Sequence, residues 1–161
     1  MEQRSAMNTR MSARERYERG RTLRQAKMYT QALEELGEVT EDPYYAGQAQ
    51  TQLALCLRAL GRHEEAIAAL RRALNTSSLS DQEYKHVLYL LGQSLESLGR
   101  SAEALEAYNW VRQEDAGFLD VQSRIKNLCG AQRSLWSQPL TSTDLFHAGR
   151  YLIGRLGLRR T

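Results

Sequence analysis

Three copies of one short phrase limit what this chain can fold into. They read Lys27-Met28-Tyr29-Thr30-Gln31-Ala32-Leu33, Gly61-Arg62-His63-Glu64-Glu65-Ala66-Ile67 and Gly99-Arg100-Ser101-Ala102-Glu103-Ala104-Leu105. Each closes one apolar-periodic helix, turns and opens another. The matching alanines, Ala32, Ala66 and Ala104, step by 34 and then 38 residues. Helix pairs recurring at this interval cannot bury their apolar faces singly and gain a core only by stacking. The spacing therefore predicts an all-α solenoid with a surface built to hold another chain, rather than an enzyme closed around a pocket.

The rest of the chain agrees with helices. Pro43 and Pro139 both fall between periodic segments, and no run shows β-branched alternation. Ser12 with Glu15 three residues on forms a capping-box pattern that opens a first helix reaching about Ala26. It pairs with a second over about 30–40, stopped by Asp42-Pro43. Further pairs span 46–60 with 64–76, and 82–98 with 101–113. Leu53, Leu57 and Leu60 recur at helical intervals opposite Ile67, Leu70 and Leu74; Leu88, Leu91, Leu95 and Leu98 do so opposite Leu105, Tyr108 and Val111. Gly61 and Gly99 stand where a first helix ends in a left-handed turn, which glycine adopts without a Cβ penalty. Lys27 takes that place in the first pair and predicts a looser turn. Gly20, Ala54 and Gly92 share one mid-helix register, where a small residue lets the partner helix approach closely.

These residues resemble the tetratricopeptide repeat, which pairs a small residue in its first helix with alanine plus an aliphatic early in its second. The resemblance covers residues 14–113, about three repeats near 13–43, 46–78 and 82–114, and implies a right-handed α-α superhelix. The family's bulky aromatic early in the first helix is replaced by Arg16, Gln50 and Leu88, and Thr76-Ser77-Ser78-Leu79-Ser80 lengthens the second junction by four residues. A stripe of Phe118, Val121, Ile125 and Leu128, with Arg124 and Lys126 outside it, predicts a capping helix over 117–129 that Gly130 ends. The domain so delimited is 12–130. Residues 1–11 are expected to be disordered, and 131–161 to be a linker and a basic amphipathic segment from Thr143.

The formal charge of +3 conceals an uneven layout: +5 over residues 1–27, −5 over 28–133 and +3 over 134–161. Interleaved aromatics for base stacking are sparse and the middle is acidic, which disfavours nucleic acid. Cys56 and Cys129 lack metal-ligand spacing and read as two buried thiols. His63, His86 and His147 form no ligand motif. Glu34-Glu35 and Glu64-Glu65 read as solvated faces. No catalytic constellation, metal site or cofactor motif emerges. With no secretory signal or membrane-span pattern, the expected location is cytoplasmic.

In the resembling family the first helices line a concave groove that holds a peptide. Its positions correspond to Arg14, Tyr17, Arg21 and Arg24 in the first repeat, Gln48, Thr51, Leu55 and Arg58 in the second, and His86, Tyr89, Gln93 and Glu96 in the third. Four arginines with two tyrosines would suit an acidic protein or peptide segment. The chaperone-tail clamp of one subclass uses lysines and asparagines, whereas the matching places here hold Tyr17, Arg21, Gln52, His86 and Leu90, which disfavours that ligand. The expected function is a non-enzymatic adaptor or scaffold. Alternatives are a client-specific, secretion-type chaperone, or a peripheral membrane adaptor using 143–161; self-association through solenoid ends is also open.

Overall fold

A computed structural model describes residues 11–136 of the chain, with side chains as far as Gly130. Residues 1–10 and 137–161, including the expected disordered N-terminus and basic amphipathic segment, lie outside the described residues. Helices α1 (Ala13–Gln25), α2 (Tyr29–Gly37), α3 (Ala46–Ala59), α4 (His63–Leu74), α5 (Asp81–Ser97), α6 (Ser101–Glu114) and α7 (Val121–Trp136) follow in order, with no strand among the described residues. Two compact units divide the chain, Met1–Ile125 and Lys126–Thr161. The six paired helices and the first turn of α7 belong to the first unit.

Within that unit α1 packs on α2, α3 on α4 and α5 on α6, and each second helix packs on the next first helix. Successive first helices also touch, while the second helices make no comparable contact with one another. This asymmetry makes α1, α3 and α5 the inner wall of an all-α solenoid.

The repeated phrase produces the same turn three times. Met28, Arg62 and Arg100 take nearly identical dihedrals (φ −85°, −85°, −80°; ψ 61°, 62°, 59°). Gly61 and Gly99 turn left-handed as expected, at φ 74° and 71°. Lys27 does so too, at φ 61°, and its turn is not looser. Its amide donates to Arg24 O at 2.9 Å and the Met28 amide to Leu23 O at 2.9 Å, the same pair of bonds that closes the other two turns. The two capping bonds hold the lysine backbone in a conformation its side chain disfavours.

The small residues at the shared register work by proximity. A Cβ on Gly20 would sit 2.5 Å from Leu36 Cγ, and one on Gly92 2.5 Å from the Tyr108 ring. Leu36 and Tyr108 are fully buried. The positions where the family carries an aromatic remain interior: Gln50 and Leu88 are buried, and Arg16 is largely covered and reaches Glu35 at 3.9 Å. Glu35 is thus not the solvated carboxylate expected, since Arg19 also approaches it at 3.4 Å. Glu64 and Glu65 are exposed. Cys56 is buried, whereas Cys129 is only partly so.

Three further expectations change. Leu60 and Leu98 are exposed, because each is the residue at which its helix leaves α geometry, so helical spacing no longer predicts its direction. α2 ends at Gly37, earlier than 40, and Asp42 opens α3 rather than only closing α2: its carboxylate accepts from the Tyr44 and Tyr45 amides at 2.9 and 3.1 Å. Gly130 does not end the last helix, which starts at Val121 and runs on to Trp136, beyond the expected linker boundary. Gly130 lacks the positive φ through which glycine stops a helix. Val121 and Ile125 in its first turns are buried.

Both capping boxes are complete. Ser12 and Glu15 close that of α1, and Ser80 and Glu83 that of α5. The long junction before α5 has a second task. Ser78 Oγ accepts from the Gly47 amide at 2.9 Å, capping α3, which has no local side-chain cap. Gly47 is bare because a Cβ there would lie 2.7 Å from Leu79 and 2.6 Å from Thr76 Oγ1.

Candidate functional site

The twelve residues expected to line the groove do lie on α1, α3 and α5, but side-chain partners divide them. Tyr17, Gln48, Thr51 and His86 come together around a cleft of about 250 Å³. Gln52, Leu79, Gln82, Glu83 and Val87 complete its wall. Leu79 reaches it because the lengthened junction folds back over Gly47; Tyr17 is steadied by Tyr45, with ring centroids 5.4 Å apart. Thr51 is buried and donates to Gly47 O at 2.7 Å. The Gln48 amide donates to Ser78 O at 3.1 Å and Glu83 at 3.3 Å, while its own oxygen is buried without a partner among the described residues.

The cleft is not simply cationic. Burial pushes the Glu83 carboxyl up, but hydrogen bonds from the Ser80 backbone, its hydroxyl and Gln48 outweigh it, so Glu83 stays below its ordinary value and charged. Burial raises the Tyr17 phenol. Partial desolvation against the cleft wall, helped by the Arg58 charge, holds His86 below the ordinary histidine value. Much of its side chain stays exposed, so the effect on stability is correspondingly small. A histidine whose folded value is depressed contributes stability that is complete above its unfolded value of about 6.5 and is lost as pH falls through the lower folded value. Urea unfolding at pH 7 and pH 5 should therefore show a loss of stability on acidification that is smaller in His86→Gln, with the His86 ring titrating below 6.5 by NMR.

A second pocket, about 390 Å³, is lined by Arg58, Gln93, Glu96, Ser97 and Arg124. Here the expected aromatic anchor is absent from the surface: Tyr89 is 6% exposed. Its hydroxyl donates to Asp120 and accepts from Gln93 Nε2 at 2.9 Å and Arg124 Nε at 3.2 Å. The Arg124 guanidinium also lies 5.7 Å from the centre of the Tyr89 ring. Glu96 accepts from Arg124 at 2.8 Å and from Tyr108 Oη at 2.8 Å. Tyr89 therefore serves the joint between α5, α6 and α7 and is not open to a visitor, whereas Glu96, held by Arg124 and Tyr108, still faces the pocket.

Of the arginines, Arg14 and Arg21 are exposed, with Arg21 paired to Glu18 at 2.8 Å. Arg24 and Arg58 are partly covered and reach across to glutamines on the next first helix, Gln52 at 2.7 Å and Gln93 at 2.8 Å. Arg14, Arg21, Arg24 and Leu55 line neither pocket. The sequence reading missed Leu79, Glu83 and Arg124. The extra junction residues signalled Leu79, the Ser80-to-Glu83 capping-box spacing signalled Glu83, and the position of Arg124 outside the apolar stripe of α7 signalled the third. Among the described residues no group of three or more His, Cys, Asp or Glu is placed to hold a metal, and no helix is long and apolar enough to cross a membrane.

A family model described as tetratricopeptide repeat matches residues 45–113, the span of α3 to α6. No curated protein matches the sequence. A similar solved structure is the first TPR of Spaghetti (RPAP3) bound to the HSP90 peptide SRMEEVD, with a TM-score of 0.67 and 17% identity, covering 75% of this chain and 93% of that one.

Proposed function

We propose that this chain is a cytoplasmic, non-enzymatic adaptor that holds a partner peptide or segment along α1, α3 and α5; residues 45–113 match a tetratricopeptide-repeat model and the described helices stack as a solenoid. The single observation that carries this reading is the cleft bounded by Tyr17, Gln48, Thr51 and His86, an indentation with apolar walls and a few fixed polar groups. Such a shape suits one side chain of an extended or helical segment. Fixed hydrogen-bond partners on three helices keep the cleft pre-formed, which limits the entropy lost on binding.

The similar structure holds an HSP90 peptide, but that ligand belongs to that domain. Of the five places where a carboxylate clamp would stand here, Leu90 is buried and apolar and Gln52 is engaged by Arg24. The partner therefore differs in how its end is recognised.

Gln82 is exposed at the rim of the cleft, so Gln82→Trp fills it without disturbing the core. Affinity capture from native lysate should yield a partner whose binding to this variant is weaker by about tenfold or more, the effect of losing one anchor pocket. Unaltered affinity with unaltered helicity would remove the cleft from the interaction.

A further inference from the structure

We propose that the pocket around Arg58 binds the carboxylate side chain of an aspartate or glutamate in the partner segment, an inference that rests on the groove reading above. Arg58 stands in the last turn of α3, partly buried, and no carboxylate among the described residues lies within 4 Å of it. Its one described hydrogen bond runs from Nη2 to Gln93 Oε1 at 2.8 Å. A guanidinium has five N–H donors, so most remain for a ligand. Gln93 is itself fixed, because its amide nitrogen donates to Tyr89 Oη at 2.9 Å and this turns its oxygen toward Arg58. The arginine is thus aimed but not neutralised.

The other cation of the pocket differs. Arg124 meets Glu96 at 2.8 Å and Asp120 at 3.1 Å. The uncompensated charge is that of Arg58. Partial burial and the neighbouring Arg124 charge both disfavour a bare guanidinium there, so an incoming anion relieves an existing cost. The charge it takes is a single one, since the Glu96 carboxylate in the same pocket repels a dianion more than a monoanion. A carboxylate fits this balance better than a phosphate, and its two oxygens match the planar fork.

Spacing ties the pocket to the first cleft. Arg58 follows Thr51 by seven residues on α3, and Gln93 follows His86 by seven on α5. Seven residues of helix advance roughly 10 Å, about the reach of three extended residues. The partner motif is therefore a bulky side chain in the cleft with an acidic residue about three positions away.

The probes are the capped tetrapeptides acetyl-Tyr-Ala-Ala-Glu-amide and acetyl-Glu-Ala-Ala-Tyr-amide, their glutamine counterparts, and inorganic phosphate at matched ionic strength. Titration is followed by NMR at Arg58 Nε and at the Tyr17 and His86 rings of the full chain. One glutamate peptide should shift Arg58 Nε saturably and bind about tenfold tighter than its glutamine form, the worth of one charge-assisted hydrogen-bonded pair. That preference should vanish in Arg58→Gln and persist in part in Arg58→Lys, while the wild-type comparison needs no variant to fold. Equal binding of both forms, silence at Arg58, or a saturable response to phosphate alone overturns the proposal. A response at Arg58 with none at Tyr17 or His86 instead overturns the cleft reading.

Discussion

Tyr108→Ala is expected to lower stability by about 3–5 kcal/mol, as large-to-small changes at buried aromatics do. The ring is fully buried on α6, packs at a tilt against Tyr89 with centroids 5.9 Å apart, and fills the space left by Gly92 on α5. Burial first, and the Glu96 hydrogen bond second, push its phenol far above the ordinary range, so it remains a donor. The alanine removes that donor and the packing together. Tyr108→Phe separates the two: it keeps the ring and should cost only about 1 kcal/mol, because Glu96 retains Arg124. Denaturant unfolding of both variants measures the difference. Equal losses in the two would mean that the hydroxyl, not the ring, holds α5 to α6.

Leu36→Ala carries the second large effect, about 2–5 kcal/mol. Leu36 is buried in a cluster with Ala32 and Cys56, against Tyr17 and Leu53. It also presses on Gly20, and this gives the change a sign test. In the wild-type background Gly20→Ala places a Cβ 2.5 Å from Leu36 Cγ; the overpacking cost of about 1–3 kcal/mol outweighs the gain of about 1 kcal/mol from replacing a helical glycine. In the Leu36→Ala background the clash is gone, and the same substitution should restore about 1 kcal/mol or more. A double-mutant cycle by urea unfolding reads this coupling. A Gly20→Ala effect of one sign in both backgrounds would refute the close-contact account of that register.

Much of the fold was readable from local chemistry. Gly20 and Gly92 announced close helix contacts, Ser12 with Glu15 announced the first helix, and the repeated phrase announced its turn. These features depend on neighbours within a few residues or on one regular period. Errors came where that locality ended. Leu60 and Leu98 continued an apolar rhythm past the point at which the helix stops, and Gly130 resembled a stop signal but kept helical dihedrals. Lys27 showed that a turn with both capping bonds intact accommodates a residue poorly suited to it.

The candidate site was legible as a set of positions but not as a set of available groups. Sequence alone determined the helical class, the pairing of helices and which helices carry Arg14 to Glu96, because periodicity and turn chemistry act over short distances. Only the tertiary structure decided which of those side chains are spent and which are free. Arg24 meets Gln52 across 28 residues, Arg58 meets Gln93 across 35 and Tyr89 meets Asp120 across 31. A long polar side chain takes its partner from whichever helix packs beside it, and that neighbour exists only once the hairpins have stacked.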